Sequence, residues 1–460
     1  MSAPNKAWSS ISTELVHNPD NLQLWQDLVK EAESNNKKGI NKSTPPEEIQ
    51  LLRTTYQNIL DKYPLLFKYW IKYASWEFKL GHIDRAEAIY RSSMVHLSYC
   101  IDLWVTYLQF KIDTNHNKDE ILTLFETARR KIGYHFHSYE FYDLYLSFLK
   151  NCKNESNGFH LKYHVLLRII IELPIYHYEH FFKKIMSILA SLNGADLHLM
   201  IPQKELSSIR NPKNAVNQLK KMFIDVYITT QYKVYELFKF ERKLTKPYFD
   251  LNYISRQQLE AWNSYLNFLQ SRDYPRDYVI FNFERCLLAT ALYSDFWTKY
   301  ANFEINDGNL ERAVEILSRG FSMNGDYQLL IELVDLHIYM KQWIRARDLI
   351  LAYVKNTVSV PIPIYEKLIQ LERIINPRDD AYLIKIFKEL ILETNQDWWF
   401  NQLLLFDVNN EQKLELFNEF KERFEDSPIF KSSLRRLKRL MGVIDTEQLR
   451  DFDEELNGYL

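Results

Sequence analysis

Trp70-Ile71-Lys72-Tyr73-Ala74-Ser75-Trp76-Glu77-Phe78-Lys79-Leu80-Gly81 is the stretch that decides the fold. Its aromatics stand three residues apart, and the glycine follows the first tryptophan by eleven positions. Trp297-Thr298-Lys299-Tyr300-Ala301-Asn302-Phe303-Glu304-Ile305-Asn306-Asp307-Gly308 repeats the arrangement position for position. The same triplet recurs as Trp104, Tyr107, Phe110, as Tyr142, Tyr145, Phe148 and as Trp262, Tyr265, Phe268. Successive copies in each half lie roughly 34 to 38 residues apart, the length of one helical hairpin.

Residues at i, i+3 and i+6 share one stripe of an α-helix, so each triplet is read as the buried face of a first helix. Gly81 and Gly308 supply the left-handed conformation that ends such a helix. A second helix follows, in which a small residue leads apolar ones at four-residue steps: Ala86, Tyr90, Met94; Ala313, Leu317, Phe321; Ala346, Ile350, Val354. Carried forward, the ruler reaches Leu330, Leu333, Leu336 with Ala346, then Tyr365, Leu368, Leu371 with Ala381, and then Trp399. The reading is an all-α helical-repeat solenoid of about ten hairpins in two arrays.

Composition agrees with stacked helices. The 460 residues include only ten glycines, which sheets and tight turns need, and 15% aromatics, which hairpin interfaces bury. A formal net charge of −2 weighs against coating nucleic acid through bulk charge. Cys100, Cys152 and Cys286 are odd in number and lack paired spacing, which points to a reducing intracellular compartment. Nothing approaches the roughly 18 uninterrupted apolar residues of a membrane span, and no membrane partner is expected. No glycine loop for phosphate is present, so neither a nucleotide nor another cofactor is expected. His160 with His164, and His177 with His180, have chelating spacing but no third ligand in sequence, and no metal is expected. Glu77, Glu304 and Glu372 recur by register, which fits hydrogen bonding to a neighbouring helix better than acid–base catalysis. No catalytic residue is assigned.

Along the chain, residues 1–192 are read as an N-terminal array that opens on a degenerate repeat carrying Trp25 and Leu28. Residues 193–254 are read as an irregular crossover and a long linking helix, Asn214 to Lys243, closed by Pro247. Residues 255–460 are read as a C-terminal array with a dimerisation tail. At its end the charge pattern changes. Lys431, Arg435, Arg436, Lys438 and Arg439 surround Leu434, Leu437 and Leu440, and then six acidic residues surround Leu449, Phe452 and Leu456. The leucines and the phenylalanine are candidate dimer contacts, and the basic residues are candidate electrostatic contacts to an acidic partner or to RNA phosphate. No aromatic RNA-recognition motif accompanies them, so any RNA contact is indirect or non-specific.

The aromatic hairpin with Glu77 or Glu304 directly after its triplet resembles the half-a-TPR (HAT) repeat of RNA-processing proteins. Longer segments narrow the match: Tyr63-Pro64-Leu65-Leu66-Phe67 before Trp70; Leu173-Pro174 with His177 and Tyr178; Phe240-Glu241-Arg242-Lys243 through Pro247-Tyr248-Phe249; and Phe283-Glu284-Arg285-Cys286-Leu287 before Phe296-Trp297. Together, over roughly residues 50 to 320, they resemble the pre-mRNA-processing factor 39 family. The resemblance implies a non-catalytic nuclear scaffold of the U1 small nuclear ribonucleoprotein that supports 5′ splice-site recognition in pre-mRNA splicing. It also implies a dimer through the C-terminal repeats, with itself or a close paralogue, and contacts to U1 proteins, among them the C protein and the 70-kDa protein. Within the repeat class the alternative is a scaffold of mRNA 3′-end cleavage or ribosomal-RNA processing, against which the Phe240 to Phe249 segment weighs. From another class, the helical subunit of a prenyl-transferring enzyme also uses tryptophan-rich hairpins.

Overall fold

The computed structural model describes residues 6–34, 40–152, 158–191, 199–201, 215–250, 252–272, 274–357, 360–375, 380–394, 399–400, 403–404, 409–424 and 426–442. Among the described residues there are 22 α-helices and no strand. By contacts the chain divides into two compact units, Met1–Ala291 and Leu292–Leu460.

The first unit begins with α1 (Lys6–His17), α2 (Leu22–Ser34), α3 (Pro46–Lys62), α4 (Phe67–Leu80) and α5 (Ile83–Leu97). It continues through α6 (Ile101–Thr114), α7 (Lys118–Ile132), α8 (Tyr139–Asn151), α9 (Phe159–Glu172) and α10 (Tyr178–Ser191). The long α11 (Ala215–Glu241), α12 (Arg256–Ser271) and α13 (Arg276–Thr290) complete it. The helix α1 has no counterpart in the repeat pattern. Residues 255–291, expected to open the second array, sit with the first unit, for a reason given below.

Two devices recur in this unit, and a third ends its helix α4. Aromatics link successive hairpins: Tyr56 of α3 stacks on Tyr73 of α4 at 5.2 Å and 5°, Tyr90 of α5 on Tyr107 of α6 at 5.0 Å and 19°, and Phe125 of α7 on Tyr145 of α8 at 4.5 Å and 7°. Phe240 of α11 stacks on Tyr265 of α12 in the same way, at 5.6 Å and 18°. The third residue joins in as well, Phe110 on Tyr90, Phe148 on Phe125 and Phe268 on Phe240 at 5.3, 5.2 and 4.6 Å, and such pairs contribute about 0.5–1.5 kcal/mol beyond their burial. Tryptophan at the first position adds a polar anchor. The indole N–H of Trp25, Trp70 and Trp104 donates to the carbonyl six residues upstream, of Pro19, Pro64 and Ser98, at 2.8, 2.9 and 2.7 Å. Glycine ends the first helix: Gly81 has φ 89°, and its N–H and that of His82 bond back to Phe78 and Glu77.

A further link covers α13. From Phe281 to Ala291 every residue of α13 and its end is buried, whereas a second helix in an open array keeps one face in water. What covers it are turns of the earlier hairpins. Tyr99 and His135 rest on Phe281 at 6.2 and 6.1 Å, and Tyr134 on Tyr278 at 5.7 Å. Alongside, Phe67 packs on Tyr248 at 4.5 Å, Tyr176 stacks on Phe238 at 5.7 Å, and the N–H of Phe249 donates to the carbonyl of Leu288 at 2.7 Å. These contacts are why residues up to Ala291 belong with the first unit.

The second unit comprises α14 (Ser294–Asn306), α15 (Leu310–Asn324), α16 (Tyr327–Tyr339), α17 (Trp343–Asn356), α18 (Ile362–Ile375) and α19 (Asp380–Thr394). After them come α20 (Asn410–Glu419), α21 (Lys421–Phe424) and α22 (Pro428–Leu440). The small residues Ala313 and Ala346 are fully buried, as is Ala86 in the first unit. Ala381 is not. It is exposed, because the buried stripe of α19 runs through Leu383, Ile386, Phe387, Leu390 and Ile391 and leaves position 381 outside. The core closes on Phe400, which meets Phe417 at 4.9 Å and Phe430 at 5.0 Å.

Candidate interaction surfaces

The middle position of these triplets is always buried, whereas the outer two vary. Tyr73, Trp104, Tyr107, Phe110, Trp262, Tyr265, Trp297 and Tyr300 are buried, whereas Trp70, Trp76, Phe268 and Phe303 are half-buried. Trp76 uses its open side to donate to Glu33 at 3.1 Å.

One position after the triplet the fold buries a polar side chain: Glu77, Lys111, Glu304, His337 and Glu372. Each is tied to its surroundings. Glu77 accepts two hydrogen bonds from Arg53 of α3, at 2.6 and 2.9 Å, and lies 3.0 Å from Nδ1 of His82 across the turn. Burial works against its charge, but Arg53 outweighs that and holds the carboxyl below its usual range. Lys111 reaches Glu87 of α5 at 3.1 Å and Glu120 of α7 at 2.9 Å. Asn309 donates to Glu304 at 3.2 Å, His337 lies 3.0 Å from Gln342, and Arg347 is 3.8 Å from Glu372. Glu77 and Glu372 therefore join neighbouring hairpins, whereas Glu304 is tied across the turn of its own hairpin.

A further buried pair carries no periodic signal. Arg285 of α13 donates to both oxygens of Glu241 at 2.6 and 2.8 Å, with its guanidinium over the ring of Trp262 at 5.4 Å. The arginine stays charged because Glu241 compensates its burial. Among the described residues no cluster of three metal-ligating side chains occurs. The rings of His160 and His164 lie 4.7 Å apart, and burial pushes His164 down to about 4.

Three surfaces of the first unit are concave or apolar and open to solvent. A groove of about 690 Å³ crosses α4, α6 and α8. A cleft of about 710 Å³ opens beside Tyr69, Tyr248 and Lys246. Along α11, Ile224, Ile228, Tyr232 and Tyr235 are exposed on the helix that docks its other side on α9, where Thr230 donates to the carbonyl of Ile171 at 2.8 Å. Among the described residues no helix is long and apolar enough to cross a membrane.

At the C-terminal end, Lys431, Arg435, Arg436 and Arg439 are exposed and Lys438 is half-buried. Leu437 is taken up by the core of its own unit, and Leu434 packs against that core. Of the leucines on α22 expected at a dimer contact, Leu440 is the exposed one, at 70%. Leu449, Phe452 and Leu456 lie outside the described residues.

Comparison with known proteins gives two family matches, the PRP39 N-terminal HAT repeat over residues 6–186 and the PRP39 C-terminal HAT repeat over residues 235–374. The pre-mRNA-processing factor 39 of Schizosaccharomyces pombe is 28% identical over 328 residues, covering 65% of this chain and 52% of that protein. The U1 small nuclear ribonucleoprotein component PRP42 of Saccharomyces cerevisiae is 29% identical over 322 residues, covering 66% of this chain and 58% of its own length. The pre-mRNA-processing factor 39 of the same yeast is 30% identical over 264 residues, covering 56% of this chain and 37% of that protein. The chain thus spans about half the length, or less, of these relatives.

Proposed function

The chain belongs to the PRP39 family of HAT-repeat proteins, and from that premise we propose that it is a non-catalytic scaffold of the U1 small nuclear ribonucleoprotein, acting in the nucleus to support 5′ splice-site recognition. The observation that carries the reading is that family likeness runs through both repeat regions and includes a relative named as a U1 component. The interior supports it: the repeated carboxylates are engaged in structural contacts, Glu77 with Arg53 and Glu372 with Arg347 between hairpins, and Glu304 with Asn309 across its own turn. The mechanism is geometric, since a stack of hairpins offers several faces along its length and holds several partners at once. Partners on this reading are the C protein and the 70-kDa protein of the U1 particle.

The test is affinity purification of the tagged chain from nuclear extract. Enrichment of U1 RNA and its proteins over other spliceosomal RNAs is the expected result. Recovery of 3′-end cleavage factors instead, or of one enzymatic partner with turnover, refutes the reading.

Dimerisation is a second part of the proposal, motivated by the amphipathic segments around and beyond α22. Light scattering on the chain and on a version ending at Gly442 tests it, and a monomer in both at micromolar concentration removes it. The cut belongs after α22, because Phe430 and Leu437 are part of the second unit's core.

A further inference from the structure

The groove across α4, α6 and α8 has an apolar floor that includes Ile71, Phe78 and Leu144. Phe78 is 44% exposed and stands edge-on to Phe110 at 5.5 Å. With Ile71, Val105 and Leu144 lining the same groove, this open aromatic belongs to a concave apolar patch of the kind that marks a contact surface. The charged residues in the lining are Asp113, Glu140 and Asp143, all acidic. Asp143 is held by Lys184 of α10 at 2.7 Å, with His180 at 3.6 Å, and Asp113 accepts from Gln109 at 2.9 Å. Asp113 and Glu140 are exposed.

We propose that this groove docks an amphipathic helical segment of a partner protein whose apolar side chains are flanked by lysine and arginine. The inference rests on the scaffold reading and names the class of one partner. The floor buries the apolar face, and the rim selects its sign: carboxylates attract a basic segment and repel acidic peptides and nucleic-acid phosphate. Neighbouring helices pack about 8–10 Å apart, so three of them span roughly 20 Å, the length of about 13 helical residues.

Two labelled helical peptides of the same pattern, one of leucine and lysine and one of leucine and glutamate, are titrated with the full chain by fluorescence anisotropy. The lysine peptide binds saturably and the glutamate peptide does not. Phe78→Ala weakens binding by roughly tenfold or more, as for an interface anchor. The double variant Asp113→Lys, Glu140→Lys abolishes it, whereas Asp61→Lys, an exposed reversal on α3 outside the groove, leaves it unchanged. Circular dichroism checks that each variant is folded. No binding of the lysine peptide, equal binding of both peptides, or full binding by the double variant overturns the proposal. Self-association of the chain that Phe78→Ala removes also overturns it, because a second copy would then fill the groove. No U1 component enters this assay, so it can fail while the nuclear purification succeeds, and the reverse.

Discussion

Glu87 and Lys111 repeat the relation of Arg53 and Glu77 with the charges exchanged. In each pair the partners are 24 residues apart, one on the second helix of a hairpin and one near the end of the next hairpin's first helix, at 3.1 Å and 2.6 Å. In these two hairpins the position takes an ion pair to the preceding hairpin, of either polarity, whereas after two other triplets it holds the buried Leu149 and Leu269. Sequence periodicity that looks only for a recurring Glu misses Lys111 for this reason.

The exchange predicts a charge-swap rescue. Glu77→Lys faces Arg53 with a like charge in a buried site and should cost about 3–5 kcal/mol. Adding Arg53→Glu should recover more than half of that loss, read from urea midpoints of the two variants. A double variant no more stable than Glu77→Lys alone would show that the polarity is fixed.

Acid should destabilise the chain through His135. The backbone N–H of His137 donates to Nδ1 of His135 at 3.0 Å, which requires an unprotonated ring. Burial, Arg285 and His137 hold its pKa well below the ordinary value. The unfolded chain takes up a proton near pH 6.5 that the folded chain declines, so stability present above that pH is lost as pH falls through about 6.5 toward the depressed folded value. His164, lowered in the same direction, adds to the slope. Urea midpoints between about pH 7.5 and 5.5 should fall, and His135→Gln should flatten the fall while lowering the midpoint at neutral pH. A pH slope identical in that variant counts against the assignment.

Gly320→Ala should destabilise the second unit. In an exposed helix interior that change gains about 1 kcal/mol. In α15 the added Cβ would sit 2.7 Å from Cγ and 2.8 Å from Cδ2 of Trp297, and 3.0 Å from Cδ1 of Leu329, so the tryptophan must move. Overpacking of this kind costs about 1–3 kcal/mol, and thermal denaturation should show a lower midpoint.

Lys341→Gly should do the opposite. Lys341 has φ 60° at the offset from Leu330 that Gly81 and Gly308 occupy from their tryptophans, and the same turn hydrogen bonds form there, Lys341 N–H to Ile338 and Gln342 N–H to His337. Relief of the left-handed cost, about 1–2 kcal/mol, outweighs the roughly 0.4–1 kcal/mol that glycine adds to the entropy of the unfolded chain. A gain of about 0.5–1 kcal/mol in urea denaturation is expected; a loss would mean that the lysine side chain contributes there.

The parts of the fold written locally were legible. Trp70, Tyr73 and Gly81 announce a helix, its inner face and its end within twelve residues, and α11 was visible from apolar spacing alone. What was not legible depends on residues far apart. Arg285 and Glu241 are 44 positions apart, and the cover that Tyr99, Tyr134 and His135 give to α13 comes from turns whose sequences show no pattern of their own. The helix α1, with sequence KAWSSISTELVH, lacks the aromatic triplet that the ruler looks for. Ala381 shows the weakness of a fixed ruler, which slips whenever a hairpin changes length. At the interaction surfaces the basic residues of α22 were predictable, whereas the acidic groove arises from three helices that meet only after folding.

The burial of α13 beneath turns from the earlier hairpins sets how the first unit comes apart. A linear stack can fray from its ends one hairpin at a time, each loss uncovering a single neighbour. Here, peeling away α12 and α13 would strip Tyr99, Tyr134 and His135 together, so residues Met1–Ala291 should melt as one cooperative block and form slowly, since the sealing contacts join segments more than a hundred residues distant.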